Sequence, residues 1–164
     1  MKRLAELNWL PRIDLISTVS GGSIIGAFFA FRWPALMEAG GDHAAFMKVV
    51  AEPFLQQIES RSFLIEWLEG SWRWPLRKLR QRGFTRTQAA ADLFDDWFFD
   101  ESSCSELPDL PLLVLNATSL QSIRSWRFTK GGLGDSRIGH GVWGNHPLSL
   151  GTCVGASAAF PPVF

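Results

Sequence analysis

Five consecutive residues, Thr18-Val19-Ser20-Gly21-Gly22, have the types and spacing that nucleophilic chemistry needs. They follow an apolar run, Ile13-Asp14-Leu15-Ile16-Ser17, that predicts a short buried strand, and they precede a run from Ile24 to about Met37 that predicts an apolar helix. Strand, tight turn of small residues around a serine, then helix is the layout of a nucleophile elbow. The serine must project from a sharp, strained turn, and large neighbours would clash there. A helix beginning just after it aims backbone N–H groups and the positive end of its dipole at the site, which favours the oxyanion of acyl transfer. In this reading Ser20 is the nucleophile, the Gly21 N–H is the oxyanion donor, and Thr18, Val19 and Gly22 complete the elbow.

The turn alone also fits a second reading. The usual elbow is G-x-S-x-G, and Thr18 stands where the first glycine would be. A Ser/Gly turn at a helix start can instead bind phosphate. A phosphate-cradling P-loop, however, would place Lys-Ser/Thr after the glycines, where this chain has Ile24-Ile25.

The other chemically capable residues form weaker patterns. His43, His140 and His146 follow no metal-ligand spacing, and loop or surface positions account for them better than a Ser-His-Asp triad. Cys104 and Cys153 lie in no metal or redox motif and read as buried or reduced thiols. No cofactor or metal is implied. Residues 72–82, Trp72-Arg73-Trp74-Pro75-Leu76-Arg77-Lys78-Leu79-Arg80-Gln81-Arg82, would suit peripheral contact with an anionic membrane. They equally suit a solvated helix face answering Asp92, Asp95, Asp96, Asp100, Glu101 and Glu106, which is the reading preferred. Phe94, Trp97, Phe98 and Phe99 read as packing. Asn116 and Thr118, at a strand end, are expected to bond neighbouring loops.

The elements that must position Ser20 follow from periodicity. Residues 2–9 read as the end of a helix broken by Pro11. Asp42 is a candidate N-cap for a helix over 43–58, and Thr85 or Thr87 for one running to about Phe99. Residues 61–82 read as helical on both sides of Gly70-Ser71, which makes about 43–99 mainly helical. An acidic loop is expected over 100–110. Leu112 to Thr118 is continuously apolar at its start and predicts a strand buried on both faces. Ser125 to Thr129 predicts another strand, 130–145 a glycine-rich loop, and Pro147 the start of a helix reaching about Ala159, stopped by Pro161-Pro162. The fold class is α/β.

Composition sets the outer limits. The 164 residues are 46% hydrophobic and 20% charged, which suits one folded domain burying roughly 70% of its unfolded surface. Sixteen basic and sixteen acidic residues leave no net charge to draw nucleic acid. Eight Trp and thirteen Phe with no Tyr fit interfaces between apolar and wet surroundings. The start of the chain has no signal-peptide pattern, and Arg32 and Pro34 interrupt the longest apolar run before about 18 residues accumulate. The expected location is cytoplasmic.

Four segments, in order, carry a family resemblance. Asp14-Leu15-Ile16-Ser17-Thr18-Val19-Ser20-Gly21-Gly22-Ser23-Ile24-Ile25-Gly26-Ala27 resembles the nucleophile segment of bacterial patatin-like phospholipases. Leu113-Val114-Leu115-Asn116-Ala117-Thr118 is similar to that family's N-A-T strand. Ser125-Trp126-Arg127-Phe128 and Gly134-Asp135-Ser136-Arg137-Ile138-Gly139 are similar to the stretch after it, and Gly155 to Phe164 to its A-S-x-A-x-P-x-x-F segment.

The resemblance implies a three-layer α/β/α core and hydrolysis of lipid acyl esters by a Ser–Asp dyad without histidine. It also implies two elements not found in residues 1–164: a G-G-G-x-R-G oxyanion motif on a strand and turn before the first helix, and a catalytic Asp in a D-G motif on the strand after Pro162. The expectation is therefore a partial acyl-hydrolase domain whose catalytic Asp is unknown, Asp135 belonging to a different motif. Little hydrolytic power is expected of it alone, and the strand before Ser20 should expose a sheet edge. The alternative is a catalytically inactive remnant that binds lipid or protein.

Overall fold

The computed structural model describes residues 1–60 and 85–159. The basic stretch 72–82, the expected helices around Gly70-Ser71 and the Pro161-Pro162 stop lie outside the described residues.

A short helix α1 (Lys2–Glu6) and a 3-10 turn (Leu10–Arg12) lead into strand β1 (Leu15–Val19). Pro11 sits inside that 3-10 turn, where its missing N–H costs nothing. The strand lies two residues later than expected, and helix α2 (Gly21–Glu38) starts directly after Ser20, three residues earlier than the apolar pattern predicts. Small residues carry no apolar signal, yet they form this helix's first turn.

Helix α2 is apolar on nearly all sides, and a helix of that kind has to be surrounded. Ser23, Gly26, Ala27, Ala30 and Trp33 recur at helical spacing, and Phe28, Phe29 and Leu36 are buried on other sides. Three further helical segments do the surrounding. Helices α3 (His43–Phe46) and α4 (Glu52–Ser60) are joined by a π-helical turn (Met47–Ala51). Asp42 caps α3 by accepting the Ala45 N–H at 2.8 Å. Helix α5 (Arg86–Phe94) runs into a second π-helical turn (Asp95–Phe99), and Thr85 is its cap, accepting the Gln88 N–H at 3.1 Å. Phe28 of α2, Phe54 of α4 and Phe98 pack ring against ring with centroids 5.2 to 5.7 Å apart. Phe94, Trp97, Phe98 and Phe99 are all buried, which confirms their reading as packing residues.

Strands β2 (Leu112–Ser119), β3 (Arg124–Thr129), β4 (Gly132–Asp135) and β5 (Gly139–Val142) complete a five-stranded mixed sheet in the order β1-β2-β3-β4-β5. Only β1 and β2 are parallel, with Ile16 opposite Leu113 and Val19 opposite Asn116. Residues 130–145 are thus not a plain loop. Glycine is what lets β4 and β5 approach: a Cβ at Gly132 or Gly134 would run into the Gly141 or Gly139 carbonyl oxygen.

The expectation that β2 is buried on both faces fails. Leu113 and Leu115 are buried, while Leu112 and Val114 are only half-buried. The same alternation runs through β1, where Ile16 is buried and Leu15 and Val19 are 55% and 62% exposed. Among the described residues β1 pairs with β2 alone. No helix of the described residues is long and apolar enough to cross a membrane.

Helix α6 (Leu150–Ala158) begins later than Pro147 suggests, because Ser149 is the residue that caps it, accepting the Thr152 N–H at 3.1 Å. A buried carboxylate fixes its position. Asp95 Oδ1 accepts the Gly151 N–H at 2.7 Å, and Gly151 has no room for a Cβ because the Asp95 carboxyl and the Ala91 carbonyl oxygen already fill that space.

Burial raises the Asp95 pKa, against the opposing hydrogen bonds from Ser149 and Gly151, and Asp92 and Glu101 add repulsion. A carboxyl raised in the folded state contributes most stability below its unfolded value of about 4, and that contribution is lost as pH rises through the folded value. Asp95→Asn keeps an acceptor for Gly151 without the buried charge. It is expected to melt above the wild type at pH 7, with the gap closing toward pH 4 in thermal unfolding scans. Asp95→Ala leaves the Gly151 N–H unpaired and is expected to cost about 1–3 kcal/mol.

Candidate active site

Ser20 sits between the end of β1 and the first turn of α2 with φ 55° and ψ −136°, a backbone conformation that non-glycine residues rarely adopt. This is the geometry a nucleophile elbow requires, and the Ser20 residue is exposed. The Ser20 carbonyl accepts the Ser23 N–H at 2.8 Å, so the helix begins at once. Gly21 and Gly22 occupy its first turn, where N–H groups have no partner within the helix.

Those glycines are small for a different reason from the one expected. A Cβ at Gly21 or Gly22 would meet no atom within 4 Å, so no clash with the described residues demands glycine there. What they leave is open approach to Ser20. The glycine that is sterically required is Gly26, one turn further on: its Cβ would lie 2.5 Å from Thr18 Cγ2. Thr18, standing where the usual elbow has glycine, therefore packs under α2, and Gly26 makes the room.

Three side chains from separate elements converge on the turn. Asn116 of β2 donates through Nδ2 to Ser17 Oγ at 3.0 Å and to the Thr18 carbonyl at 2.9 Å. Ser157 of α6, only 7% exposed, accepts the Ser20 N–H at 3.2 Å and donates to the Asn116 carbonyl at 2.5 Å. Ser23 of α2, fully buried, lies 2.7 Å from Ser157 Oγ and donates to Thr18 Oγ1 at 3.1 Å. Asn116 thus bonds the elbow strand, where a neighbouring loop was expected. Thr118 enters none of these bonds. The sequence carried a signal for Ser157, the one polar side chain in the small-residue run Gly155-Ala156-Ser157-Ala158-Ala159, but no cue to its partner.

An apolar cleft of about 440 Å³ opens beside the elbow, lined by Gly21, Ile24 and Ile25 of α2 with Phe54, Ile58 and Phe98. Lining of this kind suits a hydrocarbon chain rather than a charged ligand.

Several other candidate groups among the described residues lie elsewhere. The hydrogen bonds at Ser20 run through its backbone. Asp135 is buried, and its carboxylate accepts from the Ser122 hydroxyl at 2.5 Å and from the Arg137 and Ile138 N–H groups at 2.8 and 2.7 Å. The Ser122 bond foremost holds its pKa below the usual carboxylate value. It anchors the β4–β5 turn. His140 lies on β5, four strand spacings or about 19 Å from β1. His146 is exposed in the loop before α6, and His43 heads α3 near Glu6. Cys104 and Cys153 are free, buried thiols, and the hydrogen bond between them, with burial, pushes the Cys153 pKa up and suppresses the thiolate. Among the described residues no group of His, Cys, Asp and Glu is placed to hold a metal ion.

No protein-family model, curated protein or solved structure matches this chain.

The Thr18–Gly26 contact can be tested directly. Gly26→Ala is expected to destabilise the protein by about 1–3 kcal/mol, because the added methyl overpacks the strand–helix junction. Adding Thr18→Ser removes Cγ2 and keeps the hydroxyl, so the double variant should recover most of that loss. Denaturant midpoints of the four proteins in the cycle give the coupling.

Proposed function

We propose that this chain is the nucleophile-bearing part of a patatin-like lipid acyl hydrolase, with Ser20 as nucleophile. The observation that carries the reading is the left-handed backbone of Ser20 at the junction of a parallel strand and the first turn of α2. The four-segment resemblance and the apolar cleft at Gly21 support it. The three-layer α/β/α core belongs to the same proposal.

The chemistry follows from the geometry. Ser20 Oγ attacks the carbonyl carbon of a lipid ester, its proton passing to a base, and the C=O electron pair moves onto oxygen. The Gly21 N–H, at the positive end of α2, donates to that oxyanion. Collapse breaks the ester C–O bond, the leaving alcohol takes the proton, and an acyl-serine remains for water to hydrolyse. The base in this scheme is an aspartate whose pKa is raised by its surroundings, since an ordinary carboxyl near 4 takes a proton poorly. The catalytic Asp remains unassigned.

A second reading, an inactive remnant that binds lipid or protein, is favoured by one fact: among the described residues no carboxylate or imidazole bonds the Ser20 hydroxyl.

A fluorophosphonate probe separates the two. The hydrolase reading expects covalent labelling of the wild type that falls to background in Ser20→Ala, with turnover of a p-nitrophenyl ester above that variant. Absence of labelling in a folded wild type would count against Ser20 as a reactive nucleophile in this chain.

A further inference from the structure

We infer that Ser157 is a positioning residue for Ser20: its hydroxyl holds the nucleophile's own backbone N–H, and with it the orientation of the Ser20 side chain. The inference rests on Ser20 being the reactive serine, and it adds a residue to which the resemblance assigns no role.

The argument begins with counting protons. A serine hydroxyl has one proton and two lone pairs. The Asn116 carbonyl can only accept, so the Ser157 proton is committed to that 2.5 Å bond. Ser157 Oγ is then an acceptor toward its other two neighbours, the Ser20 N–H at 3.2 Å and the Ser23 hydroxyl at 2.7 Å. The single Ser23 proton is shared between Ser157 and Thr18 Oγ1. One oxygen thus meets three groups, and removing it takes the Ser157 bond from the Ser20 N–H while Ser23 keeps its bond to Thr18.

Geometry makes the Ser20 bond the consequential one. The Ser20 N–H stands at the end of the β1–β2 ladder, whose last pair is Val19 with Asn116. It also precedes the first residue of α2. Ser157 is its partner, and it reaches Ser20 across 137 positions of sequence. A left-handed serine persists only where its surroundings over-determine it. With Ser157 Oγ gone, the Ser20 backbone is restrained by β1 and α2 alone, and its N–H loses its bond to α6. The hydroxyl and the Gly21 N–H then no longer share one fixed orientation toward an approaching carbonyl. A displacement of that order is enough to slow an acyl transfer while leaving the fold in place.

The test compares wild type, Ser157→Ala, Ser157→Cys and Val154→Ala. Val154 is fully buried on the same helix and touches none of these bonds, so its truncation reports the effect of weakened packing alone. Two quantities are read on each protein: the second-order rate of fluorophosphonate labelling at Ser20 and amide hydrogen exchange at Ser20. Ser157→Ala is expected to label roughly ten- to hundredfold more slowly and to lose protection at the Ser20 amide. Val154→Ala should lower the melting temperature while keeping both quantities near wild type. Ser157→Cys keeps the volume but gives a poor acceptor; it should follow Ser157→Ala, and it carries the test if the alanine variant does not fold.

Wild-type labelling rates in a folded Ser157→Ala protein would overturn the inference. So would an equal slowing in Val154→Ala, which would make the effect one of packing. If the wild type itself is not labelled, Ser20 is not reactive in this chain alone. The exchange data then still decide whether Ser157 holds the Ser20 amide: faster exchange confined to the Ser157 variants supports that hold, and unchanged exchange removes it.

Discussion

The backbone of Ser20 cannot rest at φ 55° unaided. A left-handed conformation at a residue with a Cβ costs on the order of 1–3 kcal/mol, and it survives only where neighbouring parts of the fold prevent relaxation. Much of this structure can be read as the means of prevention. On one side, β1 is fixed by its parallel ladder to β2 and by the two Asn116 donations at its end. On the other, the body of α2 from Gly26 to Leu36 is packed into the core, so the helix cannot shift to relieve the serine. The strain therefore concentrates at the one residue between them.

That constraint reaches far from the turn. Ser157 can meet Ser20 only if α6 lies at the right height along α2, and the height of α6 is set at its opposite end by Asp95 and the Cβ-free surface of Gly151. Asp95 itself stands in the π-helical turn whose Phe98 packs against α2 and α4 and whose Phe99 packs against α2. The aromatic cluster, the buried carboxylate and the small-residue helix thus form one path of support. It explains why a polar group as costly as a buried aspartate is kept in the core: the Gly151 N–H, in the first turn of α6, needs a partner that water cannot supply there.

How much of this was legible in the sequence varied with the kind of force involved. Strand β2 and helix α2 are long apolar runs, and their periodicity gave their existence and type. The Asp42 and Thr85 caps were readable because capping depends on one side chain and a backbone group three residues on. Strands β4 and β5 were missed because glycine carries no strand signal, although close backbone approach is what those glycines serve. The two-sided burial expected of β2 failed for a related reason: an apolar run reports that a residue tolerates burial, not that a neighbour covers it. The strand, turn and helix order around Ser20 was visible in the local residue types. Ser157 and Asn116 were not visible as partners, since hydrogen bonds across 137 and 98 positions leave no local trace.

Thr18 shows how a departure from a motif can keep its geometry. Glycine at that place in an elbow usually lets strand and helix approach. Here the two elements still approach, because the missing space is supplied from the other side by Gly26. The exchange also adds something glycine could not: Thr18 Oγ1 accepts from Ser23, and so joins the strand end to the same group of hydroxyls that holds the Ser20 amide. Steric room is a property of the contact, not of either residue alone. Gly26 on the helix therefore lets strand and helix approach here, and the Ser23–Thr18 bond adds a hydrogen bond that resists the relaxation of the serine.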